Sequence, residues 1–257
     1  MKIITKIYCL AILSIVAIIP VFSQGTAGYK TPYESREIID MPTAGVLPLN
    51  SYNIKAKLFR EGGIELESNF SFLQNLMLGV SFGGNTIIGN GEIQFQKIPG
   101  FNVKFRVFDE KLYFPAIAIG FSNQGNGKWI SANNRFENLS PGFYLAISKN
   151  FAWALGEVSA TGGINYSLEP DKSQRSVNAY GGFEQTLGKY FSLCGEIKLN
   201  LDDKAYTNSS ANLNLSLKSS IARGITLELQ ARNILNNNKY MNKTIDRRLS
   251  IDVIKYF

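Results

Sequence analysis

Apolar and polar residues alternate along most of this chain, and that period of two decides its fold class. Successive side chains of a strand point to opposite faces, so alternation marks a sheet with one apolar and one polar side. Phe101, Val103, Phe105 and Val107 share one face, while Asn102, Lys104 and Arg106 share the other. The same pattern sets Phe191, Leu193, Gly195, Ile197 and Leu199 against Ser192, Cys194, Glu196 and Lys198. It returns with Leu213, Leu215 and Leu217, and again with Ile225, Leu227, Leu229 and Ala231. The chain is therefore all-β.

Turn lengths separate a soluble sandwich from a barrel. The alternation predicts strands near 51–60, 63–73, 76–84, 101–109, 112–122, 141–149, 152–168, 175–187, 191–202, 205–218, 222–232 and 247–257. Connections at Gln74-Asn75, Glu110-Lys111, Lys149-Asn150, Gly188-Lys189 and Ser219–Arg223 then fall on one side and are short. The long ones, at 85–100, 123–140 and 233–246, all fall on the other side. Short turns at one end, long loops at the other and an even strand count describe a transmembrane antiparallel β-barrel of about twelve strands. Asn90-Gly91 is a two-residue hairpin signal that would raise the count to fourteen.

The N-terminus carries its own signature. Lys2 and Lys6 precede an apolar stretch from Ile7 to Ile19, which Pro20 closes, and Val21 and Ser23 are small residues at cleavage positions. This predicts a signal peptide over 1–23 and a mature chain starting at Gln24. No second apolar run is long enough for a spanning helix, so crossing a membrane requires strands, with 51–257 as the barrel in the outer membrane. Between them lies 24–50, with Pro32, Pro42 and Pro48 and few strand signals, which is either a periplasmic tail or a plug.

The chain has no histidine, which excludes Ser-His-Asp and Cys-His nucleophile systems and every His-containing metal site. Loss of Cys9 with the signal leaves Cys194 as the single thiol, so no intramolecular disulfide forms. Neither a phosphate-binding loop nor a metal-ligand spacing is present, and no catalytic residue, cofactor or metal is assigned. The net charge is +7. For an exported chain this points away from nucleic acid and towards lipopolysaccharide or an anionic polysaccharide, alongside membrane lipid.

Closure follows from solvation, because hydrocarbon offers no partner to edge N–H and C=O groups, so the last strand must pair with the first. Polar faces then line the lumen, among them Lys104, Arg106, Glu196, Lys198, Glu228, Arg232, Arg248 and Asp252, with Lys55, Lys57, Glu65, Glu67 and Lys218. They form either an internal ion-pair network or a basic stripe for an anionic glycan. Tyr52, Tyr113, Tyr166, Tyr190 and Tyr206 fall near strand ends, where aromatic girdles belong. Tyr256 and the terminal Phe257 resemble the C-terminal signal read by the barrel-assembly machinery, although Lys255 departs from its apolar face.

Met41-Pro42-Thr43-Ala44, Asn102-Val103-Lys104-Phe105-Arg106, Phe114-Pro115-Ala116-Ile117-Ala118-Ile119-Gly120 and Gly142-Phe143-Tyr144-Leu145-Ala146-Ile147-Ser148-Lys149 resemble, in order and spacing, the YjbH-like outer-membrane barrels. The resemblance covers roughly 38–166 and implies participation in export or surface assembly of an exopolysaccharide, together with other envelope proteins. Two alternatives stand beside a conduit: a closed structural or binding barrel acting through its outer loops, and a small general porin.

Overall fold

The computed structural model describes residues 33–170, 173, 175–204, 207, 210–236 and 245–257. The signal peptide, its cleavage site and Tyr206 lie outside the described residues. The strands are β1 (Ser51–Phe59), β2 (Gly63–Leu73), β3 (Leu76–Asn85), β4 (Gln94–Phe95), β5 (Gly100–Phe108), β6 (Ala116–Ser122), β7 (Asn126–Ile130) and β8 (Arg135–Asn138). They continue with β9 (Gly142–Trp153), β10 (Gly156–Tyr166), β11 (Asn178–Leu187), β12 (Phe191–Leu199), β13 (Ala211–Ala222), β14 (Ile225–Arg232) and β15 (Asp246–Tyr256).

Twelve of these close an antiparallel barrel; β4 is a short addition beside β3, and β7 and β8 form a separate hairpin. The seam is the pairing of β1 with β15, from Ser51↔Tyr256 to Leu58↔Leu249. Turns at 74–75, 109–115, 154–155, 188–190 and 223–224 lie at the end that holds Asn50 and Phe257; the connections at 86–99, 123–141, 167–177, 200–210 and 233–245 lie at the other.

Four local expectations are corrected. Asn90-Gly91 does not make a hairpin of new barrel strands; Gln94 and Phe95 instead fold back onto Asn85 and Gly84. Lys149-Asn150 is strand, because the alternation runs on through Phe151 to Trp153 and the turn falls at 154–155. Lys149 is held there by Glu110 at 3.0 Å. The strand at 112–122 begins only at Ala116: Lys111 and Phe114 exchange backbone hydrogen bonds around a turn, and Pro115 has no N–H to give a ladder. Between β13 and β14 the turn is confined to 223–224, where Gly224 takes φ +78°.

The faces divide as hydrocarbon and water require. Phe105 is 43% exposed on the outside and Lys104 is 2% exposed on the inside. Inward Tyr144 and Tyr180 lie over inward Gly120 and Gly163, their register partners on the neighbouring strands. A ring from one strand thus fills the space that glycine leaves on the next, as aromatic rescue describes.

Candidate functional site in the barrel lumen

The lumen is filled from the short-turn end by the chain's own residues 33–50. Tyr33 sits at that rim, with its ring 6.3 Å from Tyr256. The segment climbs, reverses through a bridge between Glu37 and Pro42, with Ile38 N–H on Met41 O, and returns to Asn50 at the same rim. It is a hairpin inserted through one mouth, with both limbs at that mouth. Residues 41–47 are all buried.

Two wall charges hold its backbone. The Glu196 carboxylate accepts the successive N–H groups of Ile39, Asp40 and Met41 at 3.1, 2.8 and 2.8 Å. Three donors on one carboxylate oxygen are charge-assisted bonds, stronger than neutral ones. The Lys104 ammonium has three protons and spends them on the carbonyls of Arg36, Thr43 and Gly45 at 2.7–3.1 Å. Tyr180 donates its hydroxyl to Pro42 O at 2.9 Å, and Ser148 Oγ accepts Ala44 N–H at 2.9 Å.

The hairpin's own charges meet the wall in a rising series. Glu34 pairs with Arg106 at 2.9 Å near the short-turn end of β5. Glu37 pairs with Lys55 at 2.7 Å in the middle of β1. Asp40, at the tip, pairs with Arg232 at the long-loop end of β14. Arg36 pairs with Asp252. Lys218 reaches Ser35 Oγ at 2.7 Å and wall residue Glu184 at 2.8 Å. Lys57 keeps wall partners, Glu65 at 3.0 Å and Glu67 at 3.3 Å. Apolar contact is modest: Ile38, Ile39 and Met41 cover Tyr180 and Cys194, and Tyr33 and Leu47 meet Met77 and Ile254.

The long-loop end is closed separately. The β7–β8 hairpin folds inward, and Arg135 makes a two-pronged pair with Asp203 at 2.6 and 2.9 Å. Glu169 accepts the N–H groups of Phe136 and Ser140 at 2.8 and 2.7 Å, while Glu137 pairs with Arg60. Burial pushes the carboxyls of Glu169 and Glu137 above the usual range, against hydrogen bonds at Glu169 and against Arg60 and Arg248 at Glu137. Between the inserted hairpin and the wall lies a cavity of about 80 Å³ lined in part by Lys55, Glu67, Asn102, Tyr144 and Asp252, and a second of about 30 Å³ lies beside Glu34, Thr43 and Arg106. Both have room for a few waters.

Lys104, Arg106, Glu196, Lys198, Glu228, Arg232, Arg248 and Asp252 all lie on inward faces of their strands. The hairpin gathers Lys104, Arg106, Glu196, Arg232 and Asp252 around itself. Glu228 instead binds Ser216 at 2.6 Å and Gln230 at 2.9 Å, and Arg248 binds Asp246 at 2.6 Å. The alternation does not single out the partners on the hairpin, Glu34, Arg36, Glu37 and Asp40, although the spacing of its three acids is complementary to the wall cations and Arg36 meets the wall acid Asp252.

At the rim, the terminal Phe257 ring lies 5.3 Å from Tyr52 and 5.1 Å from Phe72, and its N–H meets Asn50 O at 3.1 Å. No family model and no curated protein matches this chain. Among solved structures it is similar to a protein titled "KdgM porin", at 14% identity over 80% of this chain and 99% of that one, with a TM-score of 0.46.

Proposed function

We propose that this protein is a porin-like outer-membrane barrel shut in its resting form by residues 33–50, so that passage of a solute requires that hairpin to leave. The observation that carries the reading is how the hairpin is held: mostly by ion pairs and hydrogen bonds, which water can replace in an open lumen, and with both limbs at one mouth, so that withdrawal needs no threading. Export or assembly of a surface glycan, the role implied by the YjbH-like resemblance, depends on the same withdrawal, because the resting lumen offers a polymer no path.

The test is conductance in planar bilayers. The intact chain is expected to be nearly silent, and a chain lacking 34–45, checked for heat-modifiable mobility as a closed barrel, is expected to conduct. A hairpin-free barrel that is assembled and still silent would sink the conduit and leave a closed barrel acting through its outer loops. Fractionation is expected to place the protein in the outer membrane.

A further inference from the structure

The cations that hold the hairpin make a ladder from one end of the lumen to the other. Arg106 stands near the short-turn end of β5, Lys104 one inward position further in, Lys55 midway along β1, and Arg232 at the long-loop end of β14. Among the described residues, Lys55, Lys104 and Arg232 have no wall carboxylate within ion-pair distance; their partners are Glu37, three hairpin carbonyls and Asp40. Lys57 and Lys218 differ, since Glu65, Glu67 and Glu184 neutralise them from the wall itself. A buried cation with no wall partner is costly unless something else supplies the charge. The hairpin does so with Glu37, Asp40 and its carbonyls, and adds Glu34 at Arg106, which also has Asp109 at 3.4 Å; Glu34, Glu37 and Asp40 are three residues apart each time, hence at most ~10 Å between successive Cα atoms.

We propose that Arg106, Lys104, Lys55 and Arg232 form a binding track for a linear polyanion, and that residues 33–50 are its intramolecular stand-in, which such a polymer displaces. The inference rests on the shut-barrel reading and adds the ligand class. A flexible chain with anionic groups at comparable spacing satisfies the same cations one after another as it enters through the short-turn mouth. A neutral polymer of the same length leaves Lys55 and Arg232 uncompensated and gains nothing by replacing the hairpin.

Cys194 is a built-in reporter, because its thiol faces inward, is fully buried, and is covered by Ile38, Ile39 and Met41. The experiment measures its labelling by a water-soluble maleimide in the full-length, detergent-refolded barrel. Sulfated dextran oligomers are expected to accelerate labelling about tenfold, and neutral dextran of equal length is not. The variant Glu34→Gln/Glu37→Gln/Asp40→Asn is expected to label quickly with no polymer present. Adding Lys55→Gln and Arg232→Gln to that variant is expected to remove block of its conductance by sulfated dextran.

Equal acceleration by both dextrans would overturn the track, as would a triple variant whose thiol stays as protected as the parent's. The two readings fail differently. A hairpin-free barrel that conducts but is indifferent to sulfated dextran refutes the track alone, whereas polymer-driven exposure of Cys194 in a barrel that never conducts refutes the conduit alone.

Discussion

A methyl group added at Gly120 would lie 2.4 Å from the Tyr144 ring, whereas at lipid-facing Gly162 it would meet nothing nearer than 3.9 Å. Gly120→Ala is therefore expected to destabilise the barrel by about 1–3 kcal/mol through overpacking, and Gly162→Ala to stay within about 0.5 kcal/mol. Urea titration of refolded protein reads both, and equal losses would refute the ring-over-glycine packing. Val103 and Lys104 make a second pair. Val103→Arg places a charge in hydrocarbon near the middle of β5, a cost of about 2–4 kcal/mol. Lys104→Ser leaves the lipid face untouched but removes the donor to three hairpin carbonyls, so refolding should change little while Cys194 labels faster. Indifference of the thiol to Lys104→Ser would mean that the ammonium does not anchor the hairpin. Which of these two residues faces water was legible in the sequence, because the period of two needs no partner; that Lys104 ends on carbonyls of Arg36, Thr43 and Gly45 was not.

Among the elements, the β7–β8 hairpin titrates against the usual expectation. Burial raises the Glu137 and Glu169 carboxyls, so in the closed form these groups hold protons at a pH where exposed carboxyls have lost them. Their contribution is fully present below the ordinary carboxylate range and is lost as pH rises through their raised values. Acidification from neutrality should therefore tighten this closure, seen as slower proteolysis at 131–134; faster cleavage on acidification would reverse the sign. Asp203→Asn should act the other way at every pH, since it removes the two-pronged carboxylate partner of the buried Arg135 guanidinium, a loss of about 3–5 kcal/mol for a fully buried pair. The inward fold of 123–141 was not readable from its turn-rich sequence. Its anchors Asp203 and Glu169 belong to other loops.

For the whole molecule, closure depends on the seam, where the Phe257 ring stacks on Phe72 and meets Tyr52 at a tilt beside the β1–β15 pairing. Deleting Phe257 removes those ring contacts, so outer-membrane levels should fall, measured against a Lys255→Leu control that keeps the ring. Unchanged levels would deny Phe257 a part in holding the seam. The sequence by itself determined the two faces of the regular strands, a closed barrel of twelve or fourteen strands and the asymmetry of the two ends, because each rests on a period of two or on a connection between neighbours; the count of twelve came from the fold-back of Gln94 and Phe95. It was silent on what fills the barrel. Glu196 finds its donors 155 to 157 positions away, and Asp40 meets Arg232 from the opposite end of the chain. Residues 33–50 bear no periodicity of their own; an irregular segment finds its hydrogen-bond partners only in a wall that other strands have already built, and so the tertiary structure alone decided that this segment lies inside the barrel.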